Sequence, residues 1–152
     1  MKRITFIPLL TALLGACANG TYVPPTVGRT ATISFVGKHR YVYVDDGNSC
    51  ETRHLIDNKY WSGTSVRAIG RVWIDQGIDT RAGPYGGYFC GLSLSFEPRE
   101  GVSYVSEYIT EDSRCRVVLS RLTPQGEKVN EPTVKRETLK RCVPPLQPLP
   151  EY

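Results

Sequence analysis

The chain has 152 residues, enough for one domain and too few for a second large core. Hydrophobic residues make up 40% and charged residues 22%, which excludes both a disordered tail and a bundle of membrane spans. A formal charge of +4 is far below what a nucleic-acid binder concentrates in one patch, so no nucleic-acid partner is expected.

The first residues read MKRITFIPLLTALLGACANG. Lys2 and Arg3 form a positive start, and Ile4 to Leu14 is an apolar stretch of eleven residues. A bilayer core of ~30 Å needs about 20 helical residues, so this stretch is too short to span one. A charged start, a short apolar run and then small residues describe a secretory signal peptide over residues 1–16. Removing it takes away two basic residues and leaves 17 basic against 15 acidic, so the mature chain is near neutral.

The run closes in Leu14-Gly15-Ala16-Cys17, which resembles the lipobox of bacterial lipoproteins: a branched apolar residue, two small residues and a Cys. The resemblance implies diacylglyceryl transfer to the Cys17 sulfur, cleavage between Ala16 and Cys17, and a membrane partner held through the lipid on Cys17. Acyl chains anchor strongly because each buried CH₂ contributes ~0.8 kcal/mol. Ala18 stands where an Asp would favour inner-membrane retention, so the family implies the outer membrane, facing the periplasm or the surface.

Residues 17–29, polar and carrying Pro24-Pro25, read as a tether, and residues 30–142 as the folded domain. Strand-like runs follow in order: TATISFVG, RYVYVDDG, VRAIGRVWI over Val66 to Ile74, YFCGLSLSF, VSYVSEYIT and CRVVLSRL. Each alternates or is rich in β-branched and aromatic residues, and Gly, Pro, Asp or Asn punctuates the gaps. No segment sustains a helical period. The expected fold is all-β, an antiparallel sandwich (immunoglobulin/transthyretin-like) of six to seven strands. Thr133 to Arg141 has the composition for one short helix, and residues 143–152 form a Pro-rich tail that either lies on the surface or docks in an aromatic groove of a partner.

A register test constrains the last three runs. A hairpin around Pro98-Arg99-Glu100 pairs Phe96 with Val102, Leu94 with Tyr104 and Cys90 with Tyr108. A turn over residues 111–114 pairs Thr110 with Cys115 and Tyr108 with Val117. One face then holds Leu92, Leu94, Phe96, Val102, Tyr104, Tyr108, Val117 and Leu119, a coherent core. Four Cys besides Cys17 remain, namely Cys50, Cys90, Cys115 and Cys142, and in an oxidising compartment they suggest two disulfides with three possible connectivities. In a single meander Cys90 and Cys115 stand two strands apart, roughly 10 Å, too far for a bond. The register therefore favours Cys50–Cys90 with Cys115–Cys142.

Catalytic signatures are missing. No C-x-x-C, H-E-x-x-H, G-x-S-x-G or S-x-x-K occurs, so neither a metal nor another cofactor is expected. His39, in Gly37-Lys38-His39-Arg40, reads as a solvated turn residue, and His54 has Glu51 three residues before it as a candidate acid–base partner, a weak signal. Asp75, Asp79, Glu97, Glu111 and Asp112 are scattered carboxylates that spacing does not pair. Tyr60 and Trp61, with Tyr85, are loop aromatics able to stack on sugar rings or anchor a protein, while Trp61 could equally cap one end of the sandwich. Trp73 falls on the outward parity of its strand, so that strand is either capped by an exposed aromatic or buried on both faces. The expectation is a non-enzymatic, lipid-anchored envelope protein that binds or scaffolds an envelope protein or glycan; the rival is a cell-wall hydrolase or an inhibitor of a host or envelope hydrolase.

Overall fold

The computed structural model describes residues 20–46, 53–79, 89–111 and 114–137. Among them are ten strands: β1 (Thr30–Gly37), β2 (Tyr41–Asp45), β3 (His54–Leu55), β4 (Thr64–Arg67), β5 (Val72–Asp79), β6 (Phe89–Phe96), β7 (Ser103–Glu111), β8 (Arg114–Leu122), β9 (Lys128–Asn130) and β10 (Lys135–Glu137). They form two five-stranded sheets, sheet A in the order β10-β6-β5-β2-β3 and sheet B in the order β4-β1-β7-β8-β9. All pairings are antiparallel except β1 with β7. The fold is all-β, as the alternation requires.

One core draws on both sheets. Val42, Val44, Val72, Ile74, Leu94 and Phe96 come from sheet A, and Ala31, Ile33, Phe35, Val66, Tyr104 and Leu119 from sheet B. Phe96 and Tyr104 meet edge to face with ring centroids 5.0 Å apart, an arrangement that favours aromatic pairs beyond their buried area. Sequence parity identified this face correctly: Leu94, Phe96, Tyr104, Tyr108 and Leu119 are all buried.

The pairing of those residues is only half as expected. β7 and β8 form the hairpin that pairs Thr110 with Cys115 and Tyr108 with Val117. β6 and β7 do not pair; they lie in opposite sheets. The connection explains the switch. Glu97 N–H donates to Thr133 Oγ1 on the side of sheet A, whereas Gly101 N–H donates to the Thr30 carbonyl and Thr32 N–H to the Val102 carbonyl. The chain is thus captured by β1 before β7 begins. Gly101 sits at φ +72° in this turn, a conformation glycine adopts without a Cβ clash.

The disulfide assignment changes with it. Cys90 on β6 and Cys115 on β8 face each other across the sheets with Cα atoms 6.3 Å apart, and they are bonded. The expected Cys50–Cys90 and Cys115–Cys142 bonds are therefore corrected: the exclusion rested on counting two strands within one sheet, and the residues are in two. Cys50 and Cys142 lie outside the described residues.

Four further expectations are revised. The run Val66 to Ile74 is two strands, because Gly70 at φ +75° turns the chain from β4 in sheet B to β5 in sheet A. The strand count rises to ten, since short pieces such as β3, β9 and β10 carry too few residues for a visible period. Within Thr133 to Arg141, Lys135–Glu137 is a strand paired with β6, not a helix. The domain also begins earlier than residue 30. Thr21 bridges Leu55, Tyr22 N–H donates to the Leu55 carbonyl, and Tyr22 is buried with its hydroxyl against Asp46 and the Ser65 carbonyl.

The Cys90–Cys115 bond closes a loop of 25 residues, which the chain-entropy account values at about 3–4 kcal/mol. Replacing both with Ser should lower the melting temperature by about 10 °C. Peptide mapping without reduction should recover the two cysteines in one linked pair, and a Cys50–Cys90 linkage would contradict this fold.

Candidate functional site

Strand β5 is buried on both sides. Its inward residues Val72, Ile74 and Gln76 enter the core, yet outward Asp75 is also buried and Trp73 half-buried. Of the two readings open to Trp73, the two-sided strand is the one observed. The neighbouring strands supply the cover. β2 alternates Val42 and Val44 inward with Tyr41, Tyr43 and Asp45 outward, and β6 sends Gly91, Ser93 and Ser95 outward.

Across sheet A the outward residues fall in rows set by register. Asp45, Trp73 and Ser95 share one row, Tyr43, Asp75 and Ser93 the next, and Tyr41, Gly77 and Gly91 the third. The Tyr41 ring reaches the glycine pair, its hydroxyl occupying the space a Cβ at Gly77 or Gly91 would need. These glycines are therefore required by close approach of a ring. Tyr41 and Tyr43 stand 5.6 Å apart between centroids.

Arg53 completes the centre. Its guanidinium forms an ion pair with Asp75 and lies 5.3 Å from the centroid of the Tyr43 ring. Burial pushes the Asp75 carboxyl up; hydrogen bonding from Ser93 and the Arg53 charge pull it back, and the Asp45 charge adds to the rise. Tyr41 is pushed up to about 12, by burial first and then by the charges of Asp75 and Asp79. On the other flank of the face Arg71 donates to Ser95 Oγ (3.0 Å), Glu97 Oε1 (2.8 Å) and the Thr133 carbonyl (2.7 Å), while Ser95 donates to Glu137 (2.6 Å).

The loop aromatics expected to bind are placed elsewhere. Tyr60 ends a single 3-10 turn, Asn58–Tyr60, Trp61 follows it, and both pack against the core. The Trp61 indole N–H donates to the Ile56 carbonyl (3.3 Å), so the ring caps one end of the core. Tyr85 lies outside the described residues, as do Cys17 and the lipobox. His39 is not a solvated turn residue. It is 5% exposed, with its ring 4.3 Å from Trp61 and edge-on to Tyr108 at 6.4 Å. The segment carrying it crosses from sheet B to sheet A rather than closing a hairpin, which turns His39 inward. Neither ring nitrogen has a hydrogen-bond partner among the described residues.

The residues missed from the sequence are Tyr41, Tyr43 and Arg53 as a group around Asp75. The signal was present in Tyr41-Val42-Tyr43-Val44-Asp45, where period two puts the aromatics and the carboxylate opposite the valines. Among the described residues no three His, Cys, Asp or Glu side chains gather as a metal-ion cluster. The face offers rings, fixed carboxylates and short hydroxyls, which is chemistry for recognition. A search of protein-family models, curated proteins and solved structures finds no match to this chain.

Burial depresses the His39 pKa below its usual 6.5. In the pH range just below about 6.5 the unfolded chain takes up a proton that the folded chain resists, so stability falls as pH drops through that window. Urea unfolding at pH 7.5 and 5.5 should show a lower midpoint at the acid pH, and His39→Leu should reduce that difference. A second expectation concerns Arg53. Arg53→Met strands the buried Asp75 carboxylate and should cost about 3 kcal/mol, whereas Arg53→Met combined with Asp75→Leu should recover most of the loss in the same unfolding assay.

Proposed function

We propose that this chain is a lipid-anchored protein of the bacterial outer membrane with a non-enzymatic binding role, and that the outward face of sheet A is its recognition surface. The observation that carries the binding role is the composition of that face. The outward positions of its central strands β2, β5 and β6 are four aromatics, three Asp, two Gly and two Ser, and the charged side chains Arg53, Arg71, Lys135 and Glu137 stand at the margins. A merely solvated strand face is served by long charged side chains; rings held at fixed tilt beside carboxylates instead suit contact with a partner.

The anchoring half rests on the lipobox residues Leu14 to Cys17 and on the signal-peptide pattern before them. The two halves are separable. Cys17→Ser should abolish labelling by a fatty-acid analogue and move the protein from the outer-membrane fraction to the soluble fraction. Retention of the variant in the membrane would sink the anchor and leave the binding face standing. Recovery of envelope material on the wild-type chain but not on Trp73→Ala, with an unchanged circular dichroism spectrum, tests the face itself.

A further inference from the structure

We infer that the side of the molecule crossed by residues 20–29 lies against the lipid bilayer, with Val23, Val27, Leu55 and Ile69 seated at the headgroup boundary. The inference rests on the lipid anchor proposed above and gives it an orientation. Residues 20–29 begin on sheet A, where Leu55 N–H of β3 donates to the Gly20 carbonyl and Tyr22 N–H to the Leu55 carbonyl. They end on sheet B, where the Tyr22 hydroxyl reaches the Ser65 carbonyl of β4 and Ala68 N–H donates to the Arg29 carbonyl. β3 and β4 are edge strands of their sheets, so the segment runs across the open side between them.

Six large hydrophobic side chains are exposed among the described residues, and four of them belong to this side. Tyr22 turns into the core, and Val23 and Val27 on the same segment are 82% and 83% exposed. Leu55 is the β3 residue that the segment bridges, and Ile69 follows Ala68, which holds its far end. Val36 and Phe89 lie elsewhere, on β1 and β6. Exposed aliphatic residues scattered singly need no partner. These four coincide with a separate feature of the chain. Only Ala18 and Asn19 stand between Cys17 and Gly20, so lipid on Cys17 reaches this side through about 10 Å of extended chain. Apolar side chains held at that distance gain by entering the headgroup boundary. The charges favour an apolar contact over an electrostatic one. Arg29, Arg53, Lys59 and Arg67 on this side are each ion-paired, with Glu100, Asp75, Asp57 and Asp46. Arg71 and Arg99 lie beyond it in the end turns, Arg71 against Glu97.

The test places the lipidated chain, purified from membranes and isotope-labelled, in phosphatidylcholine nanodiscs that carry a gadolinium-chelating lipid. Loss of amide signal is then read residue by residue. The expected result is several-fold greater loss at residues 21–28, 54–57 and 67–70 than at β8 and β9, on the opposite side of sheet B. Val23→Ser combined with Val27→Ser, checked for unchanged melting, should cut that contrast by roughly half. Equal loss on every side means that the domain swings freely; it overturns the proposal and leaves the anchor standing. Greater loss at β8 and β9 has the same consequence. No loss anywhere removes the anchor and the proposal together. A contrast that forms only when phosphatidylglycerol is added makes the contact electrostatic and overturns the apolar seat. Wild-type contrast in the double serine variant assigns the orientation to the tether alone, which also overturns the proposal.

Discussion

Strand β5 has to satisfy two buried surfaces with a side-chain period of two, and most of the molecule follows from how it does so. Its inward set of Val72, Ile74 and Gln76 joins the common core. Its outward set carries Asp75, a charge that loses much of its hydration under Tyr43 and Arg53. Desolvating an ion costs several kcal/mol unless a partner and hydrogen bonds offset it. Arg53 and Ser93 supply that offset, and Arg53 can do so only because β3 continues the sheet beyond β2. A buried ion pair is often no more stabilising than apolar residues of the same volume. Core packing alone therefore does not explain Asp75.

The second organising feature is a gradient along the core. At the end near the turns 68–71 and 97–102 the core includes Val72, Phe96, Ala31 and Val66, with the Tyr104 hydroxyl at its margin accepting from Arg99 N–H. Four residues beyond Val72 on β5, Gln76 accepts a hydrogen bond from Ser106 of β7, with both side chains fully buried. Beyond them stand His39, Trp61 and Tyr108, whose hydroxyl donates to the Cys90 carbonyl at 2.8 Å. Polar groups in an interior contribute less net burial energy than aliphatic ones. The Cys90–Cys115 bond joins the sheets at that polar end. A covalent tie thus sits where hydrophobic contact between the layers is weakest.

The sequence disclosed faces better than partners. Period two distinguished Tyr104 and Leu94 as inward without knowing which strands adjoin, because parity is the same for a hairpin and for two opposed sheets. It also registered β7 on β8 correctly, since a short turn leaves little freedom there. Sheet membership of β6 and β7 was not legible: it depends on Gly101 and Val102 reaching β1, about 70 residues away in the chain, and no local pattern encodes that. The same limit hid His39, whose Gly-Lys-His-Arg context reads as a surface turn until the crossover is known. The rows of the outward sheet A face are likewise a product of register between β2, β5 and β6, so Tyr41, Tyr43 and Asp75 look unrelated in the sequence.

The early start of the domain bears on how the proposed anchor would present that face. A tether running to residue 29 would let the domain roam, but Gly20 accepts a hydrogen bond from Leu55 N–H and Tyr22 is locked into the core. Only Ala18 and Asn19 then separate Cys17 from the first fixed point, a reach of about 10 Å at full extension. The fixed point lies on β3, the edge of the sheet that carries the aromatic and acidic face. An acyl chain on Cys17 would therefore hold that edge close to the bilayer surface. A partner of the proposed face would then meet Tyr41, Tyr43 and Asp75 close to the lipid headgroups, with Arg53 reaching the face from the β3 side.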